Sequence, residues 1–243
     1  EPALEGNPFM LHAQPGIEVN GFGRSWRYAV GVVNGNGDEY RDNNSEKDLY
    51  YQLAYKIGGL GFDGSGGKEG DLSDSESWRD NSIILSSFGY WGTARIKIEG
   101  EDGGGDEVEF KDDDQFCRLG FGIQGKYNDF AARAGYIYGR NENPYGAITS
   151  QDVTSHAWFA EVEYFVLPWL IPYVRYEGLK LEMPSGVDGI NPNQDRKRIV
   201  VGAEAMIRAN VSVTVEGRFY TNDQRNVETD DDDQVIMTLQ VAF

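Results

Sequence analysis

Hydrophobic and polar residues alternate along most of this chain, and the alternation is clearest in residues 234–243. Every second position there is apolar, and most positions between are polar or small. The apolar set is Val235, Met237, Leu239, Val241 and Phe243. Side chains of a β-strand point alternately to its two faces, so this period predicts a strand between two different environments.

The same period of two predicts further strands upstream. They span residues 17–22, 26–32, 49–57, 82–98, 116–126, 130–140, 156–166, 170–181, 198–208 and 210–220. Within 82–98 the pattern does not distinguish an inner from an outer face. With the terminal segment this makes eleven candidate segments, and we expect about ten strands, each near the length that a tilted membrane-spanning strand requires.

Connections between these strands alternate in length. Short turns fall at 23, 127–129, 167–169 and 209, and long polar links fall at 34–47, 97–115, 141–152, 184–195 and 222–233. This rhythm is typical of an all-β, antiparallel up-and-down transmembrane β-barrel, a meander. The link 58–81 breaks the rhythm, because it is long but lies on the short-turn side. Either a register error or a mobile segment accounts for it.

Composition agrees with a barrel. The formal net charge is -18, yet 14 Tyr, 12 Phe and 5 Trp are present, so the acid must be segregated from a folded part. Most of the acidic residues lie in the long links. Such an acidic chain is a poor nucleic-acid binder. A transmembrane barrel needs no long apolar run, and none occurs here. The single cysteine, Cys117, excludes an internal disulfide.

An amphipathic strand that ends on Phe243 resembles the last strand of bacterial outer-membrane β-barrels. Residues 28–37, Tyr-Ala-Val-Gly-Val-Val-Asn-Gly-Asn-Gly, followed by Asp42-Asn43-Asn44 and Lys47-Asp48, are similar to a segment of phosphate-selective porins and of porin-like proteins of anaerobic bacteria. The resemblance implies one barrel domain over 1–243 in the outer membrane, surrounded by lipid and lipopolysaccharide. Its C-terminus would lie on the periplasmic side and its acidic loops outside the cell.

Strand parity carries a further expectation. If Phe243 lies at the periplasm, the strand at 17–22 runs toward the periplasm, and residues 1–14 precede it on the outside. Barrels of this family normally begin in the periplasm. We therefore expect the C-terminal part of a larger barrel, lacking N-terminal strands, unless residues 1–14 form a strand that the pattern does not reveal.

Charged residues recur on the polar faces, which a barrel turns toward its lumen. The predicted pore-lining cations are Arg27, Lys56, Arg118, Arg133, Arg175, Arg198 and Arg218, with Lys126 and Arg208 on the same faces. The predicted pore-lining acids are Glu161, Glu163, Glu177, Glu204 and Glu216, with Glu18. Phosphate-selective members line their pores with lysine and arginine, so this mixture departs from a cationic filter. The charges either orient solutes in a transverse field or pair across strands.

Other chemistry is sparse. Ser155 and His156 are neighbours in one strand and therefore point to opposite faces, which argues against a catalytic pair. No C-x-x-C-H motif for haem occurs, and we expect no cofactor. The acidic link 38–44 offers oxygen ligands without EF-hand spacing, leaving open solvated loops, a calcium site or diffuse attraction of divalent ions. The aromatic residues predicted to form interfacial girdles are Trp26, Trp158, Trp169, Tyr28, Tyr164 and Tyr176.

These observations favour a passive porin-type channel for small hydrophilic solutes or ions, with no chemical step. The alternative is a structural sheath or docking partner for a multihaem cytochrome. A soluble all-β binding module fits less well, because its outer faces would be polar. The sequence leaves a homo-oligomer open.

Overall fold

The structure, a computed structural model, describes residues 15–35, 46–65, 80–101, 107–144, 151–183, 195–221 and 233–241, without the side chains of 95–101 and 107–112. The described segments form eleven strands. They are β1 (Gly16–Phe22), β2 (Trp26–Val33), β3 (Asp48–Ile57), β4 (Ser82–Glu101), β5 (Glu107–Tyr127), β6 (Phe130–Asn141), β7 (Val153–Tyr164), β8 (Leu170–Glu182), β9 (Arg196–Arg208), β10 (Val211–Tyr220) and β11 (Gln234–Val241).

The described segments contain no helix with the length and apolar character needed to span a membrane.

All eleven strands belong to one sheet and follow one another in chain order. Each strand pairs antiparallel with its sequence neighbours, which confirms the predicted meander. In the described part of the chain β1 and β11 are the two edges and do not pair with each other. The sheet is therefore open, as expected for part of a barrel.

Cross-strand register divides the sheet into a polar face and an apolar face. Glu161 pairs with Arg133 on one side and with Arg175 on the other, so these three side chains share the polar face. Val162 and Val174 pair on the opposite, apolar face, where each is about half exposed, at 53% and 52%. Aliphatic side chains exposed on every strand are unfavourable in water and suit a lipid environment.

The register also separates the two faces of β4, which the sequence pattern did not. Tyr90 pairs with Tyr50 on β3 and with Arg118 on β5, so it lies on the polar face. Phe88 and Ser86 follow at two-residue steps and share that face. The face is unusual in being aromatic here, which explains why an apolar-against-polar pattern was missing.

The strand ends differ in the length of their connections. We call the end with the turns Asn128–Asp129 and Ala209–Asn210 the turn end, and the opposite end the loop end. Asn128 has φ of 50°, the left-handed region that asparagine tolerates in tight turns. The register of β9 and β10 shifts beside this end, so that Arg208 pairs with Val211 of the apolar face, and its predicted inward position is wrong.

One predicted link is wrong. Residues 97–115 were expected to form a polar loop, but β4 and β5 stay paired out to Glu101 and Glu107. The run Asp112–Asp114 therefore lies inside β5. Charged residues on both faces removed the period-two signal there, although backbone hydrogen bonds join the strands whatever the side chains are.

The link 58–81 lies at the turn end, as strand parity requires. Because Ile57 pairs with Ile83, β3 and β4 are direct neighbours and no register error separates them. Residues 66–79 lie outside the described segments. The described ends of the link are tied down by Asp80, which accepts hydrogen bonds from Lys56 Nζ at 2.5 Å and from the Leu60 amide at 2.7 Å.

Charge on the apolar face should cost more than charge on the polar face. We expect Val213→Arg to lower the free energy of unfolding in lipid vesicles by about 2–4 kcal/mol if the residue lies near the bilayer midplane. Thr214→Arg is the control, since Thr214 pairs with Glu204 on the polar face. Urea titration of both variants in vesicles measures the difference, and equal losses would contradict the assignment of the faces.

The stabilisation that the Asp80 hydrogen bonds give should depend on pH. Burial raises the pKa of the Asp80 carboxyl, but the hydrogen bonds from Lys56 and Leu60 and the charge of Lys56 outweigh it, so the pKa lies below its usual value. Its stabilisation is then present above the unfolded-state pKa of about 3.9 and is lost as pH falls through the lower folded-state value.

Asp80→Asn should accordingly destabilise the protein by about 1 kcal/mol at pH 7. Thermal unfolding of wild type and variant should converge as the solution is acidified below pH ~3.9. A difference that stayed constant down to strongly acidic pH would show that the Asp80 carboxylate is not responsible.

Candidate functional site

A belt of paired charges crosses five neighbouring strands on the polar face. We call it the charge belt, and it consists of Arg133, Glu161, Glu163, Arg175, Glu177, Arg198, Glu216 and Arg218. Where two of these residues share a strand they are two positions apart, and the register sets the residues of neighbouring strands at similar levels. The local period of two therefore aims them to one side, and the register brings them within reach of each other.

Glu161 is the centre of the belt. Its side chain is 1% exposed, and it receives one hydrogen bond from Arg133 Nε and another from Arg175 Nη1, the latter at 3.0 Å. Arg133 also lies 3.4 Å from Glu163. A buried carboxylate with two guanidinium partners is stable as an ion, because the partners replace the water that burial removes.

Arg175 connects Glu161 to the rest of the belt. Its Nε donates to Glu177 at 2.7 Å, and its Nη2 lies 3.9 Å from Glu216. Glu177 also accepts a hydrogen bond from Arg198 on β9. One guanidinium thus joins three carboxylates, which makes Arg175 the residue on which the geometry of the belt depends most.

Glu216 closes the belt on β10. It accepts hydrogen bonds from Arg218 Nε at 2.6 Å and from the Tyr173 hydroxyl at 2.7 Å. The Tyr173 ring lies over Gly202, where an added Cβ would come within 2.6 Å of it. The sequence analysis did not single out Tyr173. Tyr173, Arg175 and Glu177 occupy every second position of β8, and this spacing was the signal that Tyr173 lies on the same face.

Four arginines and four glutamates make the belt formally neutral. Every member has a partner of opposite charge within 4 Å. Surface ion pairs contribute little individually, but a partly buried network fixes the side chains in place. The arrangement therefore gives the polar face a rigid wall of alternating charge, with no surplus of cations that would form an anion filter.

Apart from Arg208, the remaining predicted residues share the polar face without joining the belt. Lys56 pairs with Asp80, and the Arg27 guanidinium lies 5.2 Å from the centre of the Phe62 ring. Arg118 donates to Asn141 and to the carbonyl oxygens of residues 117 and 140. Within the described segments Glu204 forms no ion pair. These residues thus share one face of the sheet, but the sequence pattern did not reveal which charges meet.

Two buried carboxylates at the loop end were not predicted as part of the wall. Asp48 accepts a hydrogen bond from the Tyr90 hydroxyl at 2.5 Å, and Asp114 accepts one from the Asn143 amide at 2.9 Å. Both were assigned by sequence to, or next to, solvated links. Asp48 lies two residues before Tyr50, and this spacing was the signal that it continues the polar face of β3.

Other candidate sites can now be placed. Ser155 pairs with Gly139 on the polar face, whereas His156 lies on the apolar face and its Nδ1 is 2.7 Å from the Tyr136 hydroxyl. The two side chains are therefore on opposite sides, as expected. The proposed calcium ligands 38–44 lie outside the described residues. Elsewhere in the described chain no three His, Cys, Asp or Glu residues are grouped to hold a metal.

Large aromatic residues collect on the apolar face. Trp26 stacks on Tyr28 with ring centroids 5.7 Å apart, and Tyr164 packs against Phe130 at 4.7 Å. Trp169, in the turn before β8, is half exposed. Aromatic rings with a polar atom favour the boundary between lipid and water, so these positions suit an interfacial girdle.

Removing the central arginine should loosen the belt. We expect Arg175→Met to lower the free energy of unfolding by about 1.5–3 kcal/mol, because Glu161 loses a charged hydrogen bond while it stays buried. Arg218→Met serves as the control and should cost less, since Glu216, its one carboxylate partner in the described segments, keeps the Tyr173 hydroxyl. Denaturant titration of both variants tests this, and a larger loss for Arg218→Met would contradict the central role of Arg175.

Comparison with known proteins identifies the fold. No protein-family model matches the chain. No curated protein matches it.

The solved structures that are similar to the chain include two of outer-membrane proteins. "Outer-membrane expressed OmpT of Vibrio cholerae" is 14% identical with a TM-score of 0.56, and the match covers 84% of this chain and 56% of that one. "OmpT (in-vitro folded), an outer membrane protein of Vibrio cholerae" is 13% identical with a TM-score of 0.54, and covers 93% and 61%. The chain thus spans only 56–61% of their lengths. It has the fold of an outer-membrane β-barrel protein.

Proposed function

We propose that this chain forms part of the wall of an outer-membrane channel through which small hydrophilic solutes or ions diffuse passively. The observation that supports this most is the division of the sheet into an exposed apolar face and a polar face, which carries paired charges on β6 to β10. In a membrane barrel the first face meets lipid and the second lines an aqueous lumen.

The orientation in the membrane follows from the connections. We place the turn end at the periplasm and the loop end outside the cell, because outer-membrane barrels have short periplasmic turns and longer outer loops. The C-terminus of β11 is then periplasmic. Lipid covers the apolar face, and the sugars and phosphates of lipopolysaccharide surround its loop end.

Closure of the barrel needs strands beyond the described ones. An unpaired edge in lipid leaves backbone N–H and C=O groups without partners, which costs several kcal/mol per group. Both β1 and β11 have such an edge in the described sheet. The greater length of the two similar outer-membrane proteins fits a closed barrel with additional strands.

The charge belt supports a passive channel of weak charge selectivity. Its equal numbers of arginine and glutamate leave no net field to accumulate phosphate, so we do not propose phosphate selectivity. The alternating charges hold the wall open and hydrated. We propose no chemical step, and the solute moves down its own gradient.

The purified full-length protein should conduct ions in a planar bilayer. Arg133 has its side chain 49% exposed on the polar face, so Arg133→Gln should raise the cation-to-anion permeability ratio by about two- to fivefold, as loss of one charge changes the local potential by up to about 1 kcal/mol. Reversal potentials in a salt gradient measure this ratio.

Arg140→Gln is the matched control for this measurement. Arg140 is equally exposed, at 44%, but pairs with Cys117 and Thr154 on the apolar face. It should leave the ratio unchanged. A protein that inserts but does not conduct would contradict the channel and favour a filled lumen, as in a sheath around a cytochrome.

A further inference from the structure

A groove on the polar face of β1 to β4 differs in chemistry from the charge belt. Its cavity volume is about 920 Å³. We call it the aromatic groove, and we define it by the rings of Tyr50, Phe62 and Phe88 and the polar side chains of Asn20, Gln52 and Ser86. None of these six residues is charged, whereas every member of the charge belt is.

Two rings of the groove lie flat against the sheet. Tyr50 covers Gly31 on β2 and Phe88 covers Gly120 on β5, and a Cβ added to either glycine would overlap the ring. Cross-strand glycines are positions where an aromatic ring folds down onto the backbone. Each ring thereby packs against the sheet, and both residues line the cavity.

The three rings succeed one another along the strand direction. Tyr50 pairs with Tyr90, and Phe88 stands two residues from Tyr90, a step of about 6.8 Å toward the turn end. Phe62 follows at the turn end, where its amide donates to the Arg24 carbonyl at 2.9 Å and its ring lies 5.2 Å from the Arg27 guanidinium. The groove is therefore a track of aromatic steps and not a single pocket.

Two charged residues, Glu18 and Arg27, also line the cavity, and each already has a partner. Glu18 accepts hydrogen bonds from the Tyr50 hydroxyl at 2.5 Å and from Asn20 Nδ2 at 2.7 Å, and Arg27 lies over Phe62. Amide and hydroxyl groups, from Asn20, Gln52 and Ser86, remain the main polar chemistry. A ligand that matches such a surface is neutral, has an apolar ring face and has hydroxyl groups around its edge.

We propose that the aromatic groove is a binding subsite for the rings of neutral sugars, which slide over Tyr50, Phe88 and Phe62 as they cross the channel. The C–H face of a sugar ring packs on each aromatic ring, and its hydroxyl groups exchange hydrogen bonds with the neighbouring amides. This inference rests on the proposed channel function and names the solute class that the channel favours.

The test is current blocking by maltohexaose, a linear glucose oligomer, added to the full-length protein in a planar bilayer. Wild type should show concentration-dependent blocking, and poly(ethylene glycol) of the same hydrodynamic size, which has no ring faces, should block more weakly. Tyr50→Ala and Phe88→Ala should each weaken maltohexaose binding by about two- to tenfold, the value expected for one aromatic contact.

Two further variants separate ring stacking from general disturbance. Tyr50→Phe keeps the ring face and loses the bond to Glu18, so it should retain blocking. Phe121→Ala removes a ring from the apolar face, where Phe121 is 59% exposed, and should not alter blocking. Heat-modified mobility in gels confirms that each variant folds.

The sugar subsite is overturned if the open channel conducts but maltohexaose does not block it. Equal blocking by maltohexaose and poly(ethylene glycol), or blocking that survives both alanine variants, would also overturn it. Preference for a charged aromatic solute such as benzoate over the sugar would show that the track serves another ligand class. Absence of any conductance would instead contradict the channel, so the two proposals fail in distinguishable ways.

Discussion

The pairing of every strand with its sequence neighbours is the constraint on which the rest of the structure depends. In a lipid environment backbone N–H and C=O groups have no water to bond, so each strand must obtain its hydrogen bonds from the strands beside it. A meander satisfies this requirement with the shortest connections. It also fixes the position of each side chain along the strand direction, because antiparallel register sets each residue opposite a defined partner on either side.

The polar chemistry of the sheet follows from that register. Arg133, Glu161 and Arg175 are far apart in the chain and meet only because β6, β7 and β8 place them at one level. The belt contains acid and base in equal numbers, so its charges stabilise one another. The aromatic groove arises by the same rule, with a ring on one strand and a glycine at the same level on the next. The polar face of the sheet therefore carries two surfaces of different chemistry.

Sequence alone was sufficient for the parts that depend on a period of two. It predicted the strands, their order and the polar face of β7 to β10, because each of these strands alternates apolar and polar residues. It did not separate the two faces of β4, where rings such as Tyr90 occupy the polar face. It also missed that β4 and β5 continue as paired strands through the charged segment that was predicted as a loop.

The contacts of the site needed the register, which the sequence pattern does not give. Arg175 was predicted to line the lumen, but its position between Glu161, Glu177 and Glu216 depends on the offset of each strand against the next. A shift by one residue would have moved it to the other face. Tyr173 was missed because tyrosine suits both an interfacial girdle and a polar face, so its residue type does not indicate which one it occupies.

The central claim is that one face of each strand meets lipid and the other meets water. Spin labels attached to single cysteines at successive positions 198–205 of β9, in a Cys117→Ser background reconstituted in lipid vesicles, test it most directly. Accessibility to oxygen should peak at the odd-numbered positions, and accessibility to a water-soluble nickel chelate should peak at the even-numbered ones. Accessibilities without this opposite alternation, or with both reagents excluded throughout, would contradict a membrane barrel with an aqueous lumen.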